Sequence, residues 1–263
     1  MPVEAEGQPA AEKDEPRLRI AAAGDVHCGS HTDREALAAA FAAAAGQVDL
    51  ILLAGDLTTH GEPEQGAILA DACRGLDVPV LAVLGNHDWH VNRRDELVAA
   101  LEDGGIDVID GGHRVLDVGG TEVGVVGAKG FVGGFPGSHM PDFGEPSLRG
   151  VYAEGQAEVA GLDAGLRAVA TCPFRIVLLH YAPTTETLVG ERRDIWAFLG
   201  TDRLAPPLVE HAPDVVLHGH AHAGTFEGRV GEVPVYNVSV PVLGQDFWTF
   251  SLSGAERMPS PIH

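Results

Sequence analysis

The chain has 263 residues, 45 % of them hydrophobic, and a formal net charge of −21. That length and apolar content suffice for one large α/β domain with a buried core, while the charge argues against the basic stripe that a non-specific nucleic-acid binder uses to displace counterions. Three widely spaced cysteines, Cys28, Cys73 and Cys172, include no CxxC pair, which argues against a disulfide framework or a thiolate zinc site and for a reducing compartment.

Residues 1–16 are acidic and rich in Pro, Ala, Glu and Gly, with neither the basic nor the apolar segment of a secretory signal. They read as a disordered tail ahead of a single domain, 17–263. Residues 18–23 form a short buried strand ending at Gly24, and Thr32 with Glu35 makes a capping box that opens a helix through an alanine run. That run, about ten residues long, falls far short of the roughly 20 needed to span a bilayer, so a soluble, cytoplasmic protein without membrane insertion is expected. Residues 48–54 are a doubly buried strand, a helix starts at Pro63 and runs to about Arg74, and 78–84 repeat the strand. Asn92 is placed to cap a third helix ending at Gly104-Gly105.

Beyond that point the texture changes. Residues 106–109, 115–118 and 123–126 are short strands separated by Gly-Gly or Asp-Gly turns, the pattern of antiparallel hairpins at a sheet edge or in a second sheet. Residues 129–150 are Gly/Pro/aromatic without periodicity, a long loop expected at the rim of a substrate pocket. Residues 154–169 are helical in pattern, and 176–179 and 214–217 are buried strands that each run into a histidine. Three further strands, 225–230, 233–240 and 247–252, complete the chain.

Five segments rich in metal ligands follow these apolar runs: Gly24-Asp25-Val26-His27, Gly55-Asp56-Leu57-Thr58, Gly85-Asn86-His87-Asp88, His180-Tyr181-Ala182-Pro183 and Gly219-His220-Ala221-His222. Open α/β sheets bind ligands at the carboxyl ends of their strands, where all these groups fall. Taken singly each has a plainer reading: Asp25 or Asp56 as a turn or cap carboxylate, Asn86-His87 as a turn, His180 as a satisfied core histidine, Gly219-His220 as a tight bend. Together their carboxylates, imidazoles and one amide carbonyl suit two divalent metals. Mixed ligation without thiolate fits Mn, Fe, Zn, Co or Ni and disfavours Mg or Ca. His218, one residue out of alternation, should point away from the metals as a structural group.

The ordered set Asp25-x-His27, Gly55-Asp56, Gly85-Asn86-His87-Asp88, His180 and Gly219-His220-x-His222 resembles the calcineurin-like metallophosphoesterase superfamily, over almost the whole chain past residue 16. The resemblance implies an α/β fold, a four-layer α/β/β/α sandwich of mixed sheets with the metals at one end. It assigns Asp25, His27 and His222 to one metal and Asn86, His180 and His220 to the other, with Asp56 bridging both; spacing alone does not sort them. Two such metals imply a bridging hydroxide that attacks a phosphoester in line, without a phosphoenzyme. His87, beside a ligand but not itself one, is the candidate general acid for the leaving alkoxide, and Asp88 is either its orienting carboxylate or a cap.

Gly-Asp-Leu-Thr with Gly-Asn-His-Asp is more similar to the phosphodiesterase branch than to the phosphatases. His60 stands where protein-phosphatase relatives carry an arginine that grips the phosphoryl group, which weakens the case for a phosphoprotein substrate. The expected substrate is a small-molecule phosphodiester, with a phosphomonoesterase, a nuclease and a catalytically inactive metal-binding scaffold as alternatives. Trp89 and His90 are candidates for pocket lining, whereas Lys129, His139, Arg192 and Arg193 are expected to be solvated loop charges. A dimer through the late strands is open, and nothing in the sequence demands one.

Overall fold

The computed structural model describes residues 17–254 and 259–262, so the acidic segment 1–16 lies outside the described residues. The first half of the chain alternates strand and helix: β1 (Arg17–Ala23), α1 (Arg34–Ala45), β2 (Leu50–Ala54), α2 (Pro63–Cys73), β3 (Val80–Val83), α3 (Arg94–Asp103) and β4 (Ile106–Val108). Both β2 and β3 are buried at every position, as continuous apolar runs covered on two faces must be. A hairpin follows, β5 (Gly112–Val118) and β6 (Thr121–Gly127), then α4 (Pro146–Ala168), β7 (Phe174–Leu178), α5 (Trp196–Leu199), α6 (Ala205–His211) and β8 (Val215–His218). The last elements are β9 (Glu227–Val230), β10 (Val233–Asn237), α7 (Val240–Leu243), β11 (Trp248–Ser253) and β12 (Ser260–Pro261).

The strands form two six-stranded sheets, ordered β12-β11-β1-β2-β3-β4 and β5-β6-β7-β8-β10-β9. Each is mixed: β1 to β4 are mutually parallel with β11 antiparallel beside β1, while β6, β7, β8 and β10 are parallel between antiparallel β5 and β9. One core joins the sheets face to face, with Ile20, Leu52, Leu81 and Phe250 from the first and Val125, Ile176, Leu217 and Tyr236 from the second. Side-chain alternation sends Ile51, Leu53 and Ala82 to the opposite face, against Phe41 of α1, Leu69 of α2 and Leu97 of α3. In the second sheet Val177, Val216 and Val235 likewise meet Leu162 and Leu166 of α4 and Leu208 of α6. These are the four layers, α/β/β/α, of the expected sandwich.

Several local expectations differ from the structure. The Thr32 hydroxyl accepts the Gly29 N–H at 2.9 Å, so it is Asp33 that caps α1, its carboxylate taking the N–H groups of Glu35 and Ala36. Asn92 adopts a left-handed φ of 55° and closes the short 3-10 turn His87–Trp89 by donating to the Trp89 carbonyl; α3 starts two residues later. Strand β4 is not part of a hairpin: α3 serves as its crossover and it pairs in parallel with β3. Helix α4 begins at Pro146, eight residues before the expected start, because Pro supplies a ready first turn while Gly150 and Gly155 blur the apolar period. The strand expected over 233–240 stops at Asn237, and Val240 opens α7 instead.

Candidate metal centre

The carboxyl ends of β1, β2, β3, β7 and β8 meet at one end of the sandwich and are stitched together by backbone bonds: Asp25 N–H to the Gly55 carbonyl (2.9 Å), Gly24 N–H to Val238 (2.8 Å) and Gly219 N–H to His180 (3.2 Å). The ligand segments of both sheets therefore face one another. Asp25, His27, Asp56 and His220 all have positive φ, between 48° and 70°, which side-chain-bearing residues rarely adopt and which concentrates at functional sites. Gly55, at φ 81°, leaves room for the His180 ring, whose Nδ1 would lie 2.5 Å from a Cβ added there.

Three overlapping groups of potential ligand atoms meet here, each with all atoms within 4.8 Å of one another: Asp25, His27 and His222; Asp56, His180 and His220; and His27, Asp56 and His87. In the first, His222 Nε2 lies 2.8 Å and His27 Nε2 4.0 Å from Asp25 Oδ1. In the second, His180 Nε2 lies 3.3 Å from Asp56 Oδ1 and 2.9 Å from Asn86 Oδ1. Asp56 sits between them, its Oδ2 3.9 Å from His27 Nε2. All seven residues expected as ligands are thus brought together at one end of the sandwich.

Backbone carbonyls fix the rings. His180 Nδ1 donates to the Ala54 carbonyl at 2.9 Å, which aims Nε2 at Asp56 and Asn86. His220 Nε2 donates to the Phe198 carbonyl at 3.1 Å, which leaves Nδ1 free. Burial pushes the His220 imidazole down to about 4, so it is a neutral donor at physiological pH. Burial also opposes the charged form of His180, but the Asp56 carboxylate beside it more than offsets this and raises it to about 9. Asp56 is itself desolvated, yet His180 and the His87 backbone N–H hold its pKa well below the usual carboxylate range.

His87 stands at the mouth of the centre, Nε2 4.0 Å from Asp56 Oδ2, and its Nδ1 donates to the Thr59 carbonyl at 2.8 Å. Asp88 does not orient it. The buried Asp88 carboxylate accepts from the N–H groups of Gly85, Leu57 and Thr58 and from the Thr58 hydroxyl, tying the turn that carries His87 to the loop after β2. Sequence reasoning missed Thr58 and the carbonyls of Thr59, Ala54 and Phe198, because a carbonyl acceptor leaves no mark on residue type. His218 is fully buried, Nε2 2.8 Å from the Thr187 hydroxyl, as its place in the alternation implied.

Other expected groups are placed elsewhere. Lys129 is 8 % exposed rather than solvated, its Nζ 4.0 Å over the Phe131 ring and 3.3 Å from Glu154. The loop 129–150 packs on the α5 side, Gly133 N–H bonding Ala197 and Gly134 N–H bonding Gly200, and the cavity beside the centre is lined instead by the loops after β1 and β2. His139 and Arg192 pair with Asp202 and Asp194. Trp89 belongs to a separate cavity with Arg93 and Arg94.

A family model described as calcineurin-like phosphoesterase matches residues 18–224, a span that holds every candidate ligand above. The chain belongs to the calcineurin-like phosphoesterase family. No curated protein sequence matches it at a significant level. Among solved structures, the phosphopantetheinyl hydrolase of Mycobacterium tuberculosis is similar at 17 % identity over 86 % of this chain and 89 % of that one, with a TM-score of 0.62. A Thermus thermophilus protein is similar at 19 % identity over 94 % and 99 %, TM-score 0.57. A putative 5′-nucleotidase of Staphylococcus aureus is 16 % identical over 94 % of this chain and 53 % of that one, TM-score 0.59. At these identities the likeness is one of fold.

The donor set of this calcineurin-like phosphoesterase fits divalent cations. Asp25 and Asp56 are 3 % and 1 % exposed, and among the described residues their ion-pair partners are imidazoles, with no lysine or arginine. Two desolvated carboxylates so placed call for positive charge.

Proposed function

We propose that the chain is a two-metal phosphoesterase that prefers diesters of small molecules. The observation that carries this reading is the position of Asp56, one carboxylate oxygen toward each histidine set. Asp25, His27 and His222 would hold one cation and Asn86, His180 and His220 the other, with Asp56 shared; the ligands suit Mn, Fe, Zn, Co or Ni. Divalent cations bound there supply Lewis acidity, lowering the pKa of water and neutralising charge on the phosphoryl oxygens.

The chain's own residues supply the rest. His87 gives a proton from Nε2 to the departing alkoxide, its ring held by the Thr59 carbonyl, while Asp88 anchors the turn beneath it. A monoester dianion would profit from a guanidinium grip, and the residue in that place is His60; a diester with one charge needs it less. The net charge of −21 disfavours nucleic acid as substrate. No helix among the described residues is long and apolar enough to cross a membrane, and three free, buried cysteines suit a reducing cytoplasm.

The test is hydrolysis of bis-p-nitrophenyl phosphate against p-nitrophenyl phosphate by the Mn-loaded protein, with Asp56→Asn as control. Preference for the diester, abolished in the variant, is the expected result. Preference for the monoester would make the chain a phosphatase, and no turnover would leave a metal-binding scaffold.

A further inference from the structure

A cavity of about 420 Å³ opens beside the metal centre. The loop after β1 gives one wall, with Ser30, His31 and Thr32, the segment after β2 gives the other, with His60 and Gln65, and His27 closes the inner end. Three independent observations give it a purpose.

The first is its place relative to the acid. His27 lines the cavity and packs edge-on against His87, ring centroids 4.7 Å apart, so the proton-giving ring stands next to the cavity's His27 end. An alcohol protonated by His87 departs on this side.

The second is its hydrogen-bonding character. Gln65, 7 % exposed, accepts the His60 backbone N–H on Oε1 at 2.8 Å, which turns its amide nitrogen to the ring, 3.5 Å from Nδ1. Nδ1 is then an acceptor, and Nε2–H is the ring's remaining donor. The Thr32 hydroxyl, accepting from Gly29 N–H at 2.9 Å, keeps its hydrogen to donate.

The third is charge. Four other surface cavities among the described residues each include a carboxylate: Asp214 in two of them, Asp95 and Glu96 in a third, and Asp246 in the fourth. In a chain of net charge −21, the cavity beside the metals has none and is lined by three imidazoles.

We propose that this cavity is the leaving-group subsite and takes an alcohol bearing a further anionic oxygen group, with His60 as the specificity-determining donor and Gln65 as the residue that positions it. The inference rests on the hydrolase reading above. The cations would answer the charge of the scissile phosphoryl group; the His60 N–H and Thr32 O–H donors would meet the second.

The experiment compares diphenyl phosphate, bis(4-carboxyphenyl) phosphate and bis(4-phosphonophenyl) phosphate with the Mn-loaded full chain, following release of the phenols. Despite the acidic protein surface, a charged diester should exceed diphenyl phosphate in kcat/KM by about tenfold, the scale of one hydrogen bond to a charged acceptor, and the better of the two identifies carboxylate or phosphate as the group read. His60→Ala should bring that ratio to about one. Gln65→Leu should lower it through KM of the charged substrate rather than kcat, a split that a general loss of structure does not produce. His139→Ala, outside the cavity, should retain the ratio. A wild-type ratio of one or less, or one unchanged in His60→Ala, overturns the proposal. Because each ratio is taken within one protein, a partial loss of folding cancels. Turnover of bis-p-nitrophenyl phosphate with no preference among the three defeats only this inference, whereas absence of any turnover defeats the hydrolase reading as well.

Discussion

The His87 side chain makes one hydrogen bond, to the Thr59 carbonyl, and its bond to Asp56 comes from the backbone N–H, which a substitution keeps, so its removal should leave the ligands standing. His87→Ala is expected to keep its metals while losing about 10²- to 10⁴-fold in rate on alkyl esters, the usual worth of general acid catalysis, and much less on nitrophenyl esters, whose leaving groups need no proton. Equal losses on both, measured by steady-state kinetics, would remove the acid assignment. His180 sets a pH dependence. Burial opposes its protonation, but Asp56 raises it to about 9, so at neutral pH the metal-free centre holds a proton that a cation must displace. Apparent Mn affinity should therefore rise with pH up to about 9 and level off above it. Calorimetry in two buffers of different ionisation heat should register proton release on binding at pH 7; an affinity flat with pH would contradict this origin of the charge.

At the scale of elements, the site depends on strands that end in turns too tight for side chains. Gly85, just past β3, lies against Asp56, and a Cβ there would overlap both Oδ1 and the Asp56 backbone nitrogen. Gly85→Ala should preserve the far-ultraviolet circular dichroism of the fold yet displace Asp56 and empty the centre of metal; two metals retained by this variant would show the turn to be yielding. The ligand-bearing turns were legible because each follows an apolar run, a signal that survives in residue types. The cap of α1 was misread by one position because Thr32 and Asp33 are both good caps, and only the prior claim of Gly29 on the Thr32 hydroxyl separates them. The parallel pairing of β4 was equally hidden: Gly-Gly punctuation marks a turn but not the partner strand. Asp88 is the instructive case at the site, a carboxylate next to the acid in sequence whose bonds go to Gly85 of its own turn and to Leu57 and Thr58 of the loop opposite, none of them to His87.

In the whole molecule, the metal centre joins the two sheets. Asp25, His27, Asp56 and Asn86 follow strands of the first sheet, whereas His180, His220 and His222 follow strands of the second. Each cation would therefore be held from both, and a carboxylate of Asp56 shared between them would make the two loadings interdependent. A net charge of −21 favours cations over polyanions near the chain. The most direct measurement is the number of Mn ions per chain after loading and gel filtration, taken by elemental analysis on the wild type and on Asp56→Asn. Two per wild-type chain and at most one in the variant is the predicted result. A single ion in the wild type, or two retained without Asp56, would contradict a dinuclear centre built on that carboxylate.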